Sequence, residues 1–357
     1  MARALELARR GLHTTHPNPR VGCVIVRRGE VVGEGFHQRA GGPHAEIVAL
    51  EQAGAQARAA DVYVTLEPCC HFGRTGPCTE ALKAAGVGRV IVAMEDPNPA
   101  IAGQGLAALR AAGIAVDTGL MEAEAAQLNR GFVSRMTRGR PFVALKLAMS
   151  LDGRTAMGSG ESRWITGEAA RADAHRLRAE AGAVMTSVET VLADDPELTV
   201  RLVQTARQPD RIVIDTQLRA PLDARVWDGS ARRIAVTVRP PADRVAALRA
   251  RGVEVALVAT THDSRVELAS ALAALGGMEI NEVLVESGPR LAGALLQAQL
   301  VDELVLYVAP ALLGSDARAL AQLPGLDRLD QRLRMRFTDA RMVGADLRLT
   351  AVPEGRD

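Results

Sequence analysis

Three of the four cysteines of this 357-residue chain fall within the stretch EPCCHFGRTGPC, residues 67–78. Cys69 and Cys70 are adjacent, and Cys78 follows eight positions after Cys70. Four cysteines in a chain of this length do not make a disulfide scaffold, so the cluster points to metal or redox chemistry. Upstream, PHAE (43–46) opens a helical pattern. His44, Cys69 and Cys78 would give zinc three protein ligands and leave a fourth position for water, as catalytic sites do. A structural zinc would be closed by a fourth protein ligand, for which Cys70 is the nearest candidate.

The order His-x-Glu, then Pro-Cys, then a further Cys is that of zinc-dependent deaminases, in which the Glu manages protons and does not bind metal. Here Glu46 holds that place, but eight residues separate Cys69 from Cys78 where the usual pattern has two. Residues i and i+2 do not share a helix face. His44 and Glu46 can therefore meet only at a helix start, where Pro43 sets the entry. Cys78 leads into TEALKAAG, so its thiolate would gain from a helix N-terminus. Cys23 lies in a strand pattern and reads as core; His13, His37, His175 and His262 carry no signal beyond ordinary histidines.

The second half offers less specific chemistry. Of 43 basic residues only Lys83 and Lys146 are lysine, and Lys146 sits in the apolar strand pattern FVALKLAMS. A lysine there must be paired or functional. EVLVESGPRLAGALLQ (282–297) reads as strand, glycine loop and helix, whose loop amides favour phosphate, though it is neither a dinucleotide fingerprint nor a Walker loop. Asp194 and Asp195 precede Pro196 in a predicted loop, where a helix stop is the plain alternative.

The elements that must hold these residues alternate. VGCVIV and EVVGEGF flank RRG as a hairpin. HAEIVALEQAG is a helix stopped by Gly54, DVYVTL and RVIVAM are buried strands, TEALKAAG and LAALRAAG are helices, and IAVDTG is a further strand. This predicts an α/β layer fold with a largely parallel sheet. RMTRGRP (135–141) reads as a polar joint, and the length asks for two domains, residues 1–139 and 140–357. After the joint come RIVIDT, RIAVTV, VEVALVA, EVLVE and ELVLYVAP as strands, with MRFTDARMVGADLRLTAV as two antiparallel strands closing the sheet.

THPNPRVGCVIV, GEGFHQRAGGPHAE, VTLEPCCHFGRTGPC and EDPNPAIAGQG, followed by LKLAMSLDGRTA, GESRWIT, TVLADDPELTVR and VESGPRLAGALL, resemble the bifunctional riboflavin-biosynthesis deaminase/reductase family over nearly the whole chain. The resemblance implies a cytidine-deaminase-like α/β/α layer domain followed by a dihydrofolate-reductase-like α/β domain. It implies zinc on His44, Cys69 and Cys78, Glu46 as proton shuttle, and Asn18 and His71 at the pyrimidine pocket, with an ordinary surface loop as the alternative for His71. Cys70 stands where the family often has Ser and is not expected as a ligand; the insert holding Cys70 and His71 is expected to wall the pocket. In the second domain, Lys146 and Asp194 match residues implicated in reduction. Ala148, Trp164, Thr190, Asp194, Thr216 and the loop Gly288, Pro289, Arg290, Leu291, Ala292, Gly293, Ala294 would contact NADPH. Ser162, Arg178, Leu198, Arg201 and Glu286 would hold the phosphosugar; a phosphate suits the two arginines. The implied reactions are hydrolytic deamination of 2,5-diamino-6-(5-phosphoribosylamino)pyrimidin-4-one and then reduction of its ribosyl group to ribityl.

Charge and composition narrow the partners. Residues 1–140 carry 16 basic and 13 acidic side chains, and the remainder 27 and 29, so neither half has the excess of a polyelectrolyte binder. Aromatics at 3% are too few for a base-stacking platform. No signal core and no run of about 18 apolar residues is present. The expectation is a cytoplasmic enzyme with a small-molecule phosphoribosylaminopyrimidine substrate, no nucleic-acid or membrane partner, and a homo-oligomeric state, dimer or tetramer.

Overall fold

A computed structural model describes residues 1–71 and 76–355, and the chain divides into two compact units, Met1–Gly139 and Arg140–Asp357. In the first unit the amphipathic ARALELAR segment forms α1 (Ala2–Arg9), with Leu5 and Leu7 buried. Strands β1 (Gly22–Arg27) and β2 (Glu30–Phe36) form the hairpin. Its two-residue turn places Arg28 and Gly29 at φ 53° and 85°, the left-handed geometry that matches strand twist. Then follow α2 (Ala45–Ala53), β3 (Asp61–Val64), α3 (Cys78–Ala85), β4 (Arg89–Val92), α4 (Gln104–Ala111), β5 (Ala115–Thr118), α5 (Glu122–Leu128) and α6 (Arg130–Arg138).

The strand order is β2-β1-β3-β4-β5. The sheet is mixed, not largely parallel: β1 runs antiparallel to both β2 and β3, and only β3–β4 and β4–β5 are parallel. A two-residue turn can join only antiparallel neighbours, which fixes the first pairing. Helix α2 lies close on this sheet because β2 carries two glycines. A Cβ at Gly33 would stand 2.2 Å from the Ala49 carbonyl oxygen, and one at Gly35 2.3 Å from that of Ala45. Ala45, Ala49 and Ala53 then pack with Cys23, Ile25, Val62, Val64, Val90 and Val92 in one core. The helix that begins next to His44 is thus held firmly against the sheet.

The second unit comprises β6 (Phe142–Ser150), β7 (Arg154–Ala156), α7 (Glu168–Glu180), β8 (Ala183–Ser187), α8 (Val188–Asp194), β9 (Asp210–Ile214), β10 (Arg233–Thr237), α9 (Ala242–Ala250) and β11 (Glu254–Leu257). It continues with α10 (Leu268–Gly277), β12 (Glu282–Val285), α11 (Pro289–Gln297), β13 (Glu303–Ala309), β14 (Arg318–Ala319), β15 (Met335–Val343) and β16 (Asp346–Pro353). Among the described residues its main sheet has nine strands in the order β11-β10-β9-β8-β12-β6-β13-β16-β15. Pairings from β11 to β13 are parallel, and β16 and β15 add the antiparallel edge. The joint segment differs from its reading: residues 135–138 are the last turn of α6, capped by Gly139 in the left-handed region. The Asp194–Asp195 pair likewise ends a helix, with Asp195 as C-cap at φ 42°. No helix among the described residues is long and apolar enough to cross a membrane.

Candidate functional site

His44 is the N-cap of α2, with extended backbone (φ −75°, ψ 162°), and Glu46 lies in the first helical turn. A capping side chain leaves the helix axis, which removes the objection to an i, i+2 pair sharing one site. Cys69 follows β3, and Cys78 is the first residue of α3, its backbone N–H donating to Cys69 Sγ at 3.3 Å. His44 Nδ1 lies 3.3 Å from Cys78 Sγ and 3.5 Å from Cys69 Sγ, and the three ligand atoms lie within 4.8 Å of one another. Tetrahedral zinc with Zn–S of about 2.3 Å and Zn–N of about 2.0 Å places N and S roughly 3.6 Å apart. The donor set and its spacing therefore fit zinc.

The local electrostatics suit a metal and a proton carrier. The Cys69 thiol is pushed down to about 4, first by the hydrogen bond from the Cys78 thiol and then by His44 and the Cys78 amide. The shared proton pushes Cys78 up. Glu46 is 3% exposed, and its burial raises the carboxyl to about 7, with the Cys69 charge adding to the effect. Cys23 lies fully buried in β1, as core. Cys70 is half-buried, and its thiol lies 3.9 Å from Gln104 Oε1. Asn18 Nδ2 is 3.0 Å from His37 Nε2, while His37 Nδ1 lies 3.0 Å from the Pro43 carbonyl oxygen beside His44. His71 is exposed, and residues 72–75 of the insert lie outside the described residues, as does the reading that they wall the pocket.

Glu67 was not singled out by sequence, although it opens the cysteine stretch. Its buried carboxylate accepts four backbone N–H groups: Asp96 (3.0 Å) and Gly103 (2.9 Å) on Oε2, Gly105 (2.7 Å) and Leu106 (3.3 Å) on Oε1. It thereby caps α4 from a distance and ties the 96–103 loop to the segment carrying Cys69. Glu67→Ala would leave those amides without this acceptor. The expected loss is about 2–4 kcal/mol in the first unit, read as a lower denaturant midpoint.

In the second unit β6 brings Lys146 to Glu286, with Nζ 3.8 Å from Oε2 and 5.7 Å from the Tyr307 ring centre. Arg178 grips Glu286 through two bonds of 2.5 and 3.0 Å and also donates to the Thr199 carbonyl. Glu286 is held down to about 2: the cations Arg178 and Lys146 outweigh the burial that opposes ionisation. Burial lowers Lys146 from the ordinary lysine value. Arg201 pairs with Glu197 at 2.5 Å, next to Leu198 at φ 55°. Sequence reasoning passed over His175, which accepts the Arg201 amide at 2.9 Å. Asp173 carries no sequence signal either; it accepts from Tyr307 (2.6 Å) and Arg348 (2.8 Å).

The other residues lie on β6, α8, α11 and the loops between elements. Ser162 and Asp194 line an open cleft of 390 Å³ with Arg163 and Asp195. Asp194 accepts from Arg163 through its carbonyl, whereas the carboxylate beside Lys146 is Glu286, so Lys146 and Asp194 are not brought into an ion pair. Trp164 is exposed, with the Arg171 guanidinium 4.7 Å above its ring. Ala148 is half-buried on β6, and the Thr216 carbonyl accepts from Thr237 at 2.9 Å. Gly288 caps α11 and donates to Thr190 Oγ1 at 3.3 Å; Pro289 follows as the first helical residue, with Arg290, Leu291, Ala292, Gly293 and Ala294 behind it. At Gly293 a Cβ would stand 1.9 Å from the Gln322 carbonyl oxygen, so this glycine serves a close backbone approach.

Comparison with known proteins adds to this geometry. Residues 1–94 match the family model "Cytidine and deoxycytidylate deaminase zinc-binding region", and residues 141–349 match "RibD C-terminal domain". The chain is 53% identical to the riboflavin biosynthesis protein RibD of Escherichia coli, covering 99% of this chain and 98% of that one. It is 45% identical to the one of Haemophilus influenzae over 99% and 97%. Among solved structures it is similar to Acinetobacter baumannii RibD, with a TM-score of 0.91 and 45% identity over 99% and 97% of the two chains. It is also similar to a diaminohydroxyphosphoribosylaminopyrimidine deaminase/5-amino-6-(5-phosphoribosylamino)uracil reductase of Thermotoga maritima, with a TM-score of 0.86 and 34% identity over 99% and 97%.

Proposed function

The chain belongs to the RibD family of riboflavin-biosynthesis proteins, and from that premise we propose which of its residues carry the family's two reactions. It is a bifunctional enzyme, a zinc-dependent pyrimidine deaminase and an NADPH-dependent reductase acting on a small-molecule substrate. We assign deamination to residues 1–139 and reduction to residues 140–357.

In the deaminase, His44, Cys69 and Cys78 hold zinc, which when bound supplies Lewis acidity that makes a nucleophile of water near neutral pH. Glu46 takes the first proton of that water and passes it to the ring nitrogen. It then takes the second from the hydroxyl added to the ring carbon and passes it to the amine, so that the C–N bond breaks, ammonia leaves and a carbonyl remains. Its burial keeps the carboxyl near neutrality, which suits a group that must both accept and give a proton. Asn18 and His71 orient the pyrimidine.

In the reductase, NADPH when bound supplies a hydride to the ribosyl carbon attached to the amine. Ala148, Trp164, Thr190, Asp194, Thr216 and the loop 288–294 seat that cofactor, and Ser162, Arg178, Leu198, Arg201 and Glu286 seat the phosphosugar. Lys146 gives a proton to the ribose ring oxygen as the sugar opens. Glu286 keeps the ammonium in place at 3.8 Å. The reading extends to a cytoplasmic homo-oligomer, dimer or tetramer.

One observation carries the proposal: a His/Cys/Cys donor set closes around one point beside a buried glutamate. The test follows ammonia release and NADPH oxidation separately in purified protein, with and without a chelator. Chelation is expected to stop ammonia release and to spare reduction of substrate that has already been deaminated. Loss of both activities would refute the division of labour between the two units.

A further inference from the structure

The segment between α8 and β9 carries Leu198 and Arg201 but has no regular structure from residue 195 to 201, so no strand ladder holds its backbone. Side chains hold it instead. Arg178 donates to the Thr199 carbonyl at 2.9 Å. Gln208 grips Val200 at both ends, accepting from its N–H at 2.7 Å and donating to its carbonyl at 3.0 Å. His175 Nδ1 accepts the N–H of Arg201 at 2.9 Å and that of Leu202 at 3.4 Å. His175 and Arg178 stand three residues apart on α7, hence on one helix face.

The imidazole is 6% exposed. Burial, and then the cations Arg178 and Arg201, push it down to about 4, so the ring is neutral near pH 7. Because Nδ1 accepts, the proton of the neutral ring sits on Nε2. A charged ring would lose its acceptor and add a cation to a cluster that already contains Arg178, Arg201 and Lys146.

We propose that His175 is a positioning residue of the reductase, which fixes the main chain of Arg201 relative to Arg178 so that the two guanidinium groups form one cradle for the substrate's sugar phosphate. This rests on the reading of Arg178 and Arg201 as phosphosugar ligands. Two arginines supply charge-assisted donors for a phosphate dianion only if their spacing is held. Arg178 is locked on Glu286, and His175 locks the other side.

The test uses the full chain with already deaminated substrate and saturating NADPH, with inorganic phosphate as competing probe. His175→Phe keeps the ring's bulk and removes the acceptor; His175→Asn puts an amide oxygen where Nδ1 stood. His175→Phe is expected to raise KM for the phosphosugar and the inhibition constant for phosphate together, each by about 10-fold or more. Turnover and the KM for NADPH should stay within about 3-fold, and Asn should restore both raised constants to a similar margin. Unchanged KM and phosphate inhibition in the Phe variant would overturn the proposal. So would an equal loss in both variants accompanied by weaker NADPH binding, which would make His175 a general scaffold residue. Arg201→Ala separates the premise from the proposal: if it leaves KM for the phosphosugar and phosphate inhibition unchanged, the assignment of the phosphate site falls.

Discussion

Glu46→Gln is expected to lower ammonia release by about 10³-fold or more while zinc stays bound at one per chain. The amide matches the carboxylate in size, so the pocket around a side chain that is 3% exposed keeps its packing. What it loses is the ability to take a proton and give it back. None of the three candidate metal donors is touched, since His44, Cys69 and Cys78 converge without Glu46. Metal analysis and ammonia assay on the same preparation check both halves. A purely structural zinc site would lose nothing measurable, and that outcome would remove Glu46 from the chemistry. Cys78→Ser provides the contrast, because there metal and deamination should fall together.

The second large effect concerns Lys146. Lys146→Arg should reduce turnover of already deaminated substrate by about 10²-fold or more and leave ammonia release intact. Arginine keeps the positive charge opposite Glu286, so a loss cannot be put down to an unpaired carboxylate; Arg178 holds that carboxylate in any case. Guanidinium is bulkier and gives up its proton only above about pH 12, so it is a poor acid for the ribose oxygen. The pH profile supplies a second check. In the proposed role Lys146 acts in its protonated form, so turnover should be present at low pH and lost as pH rises through its pKa. Burial lowers that pKa, with Arg178 acting in the same direction and Glu286 opposing both. The alkaline limb should therefore lie below the ordinary lysine value, and it should be absent from the residual activity of the Arg variant. Full turnover with arginine would disprove the proton-donor role.

Legibility followed the reach of each interaction. The candidate zinc donors are readable because His-x-Glu and Pro-Cys are short local patterns, even with eight residues in place of two between the cysteines. An i, i+2 pair can converge only at a helix start, and His44 meets that condition as N-cap. Glu67 lay inside a stretch already marked as chemical, yet its partners stand 29 to 39 positions away, and no pattern of side chains announces backbone donors. His175 was unreadable for the same reason: it serves an amide 26 positions on. Strand existence was clear for most of both sheets, whereas strand direction was not. An apolar run such as DVYV reads the same beside a parallel or an antiparallel neighbour, and β3 has one of each. Strand β8 carries little sequence signal because AVMTS is short and lies directly between two helices. Within the joint read at 135–141, residues 135–138 are instead the last turn of α6.

The pairing of Lys146 with Glu286 also bears on how the protein can be addressed chemically. Amine-directed reagents meet only two lysine side chains in the whole chain, together with the amino terminus. Lys83 is bound to Glu80 on the surface of α3, at 2.9 Å. Lys146 has a lowered pKa and so presents more of the neutral, nucleophilic form than an ordinary lysine does. The near-exclusive use of arginine elsewhere leaves Lys146 one of the few amines such reagents can meet, and if its proposed role holds, bound phosphosugar would shield it.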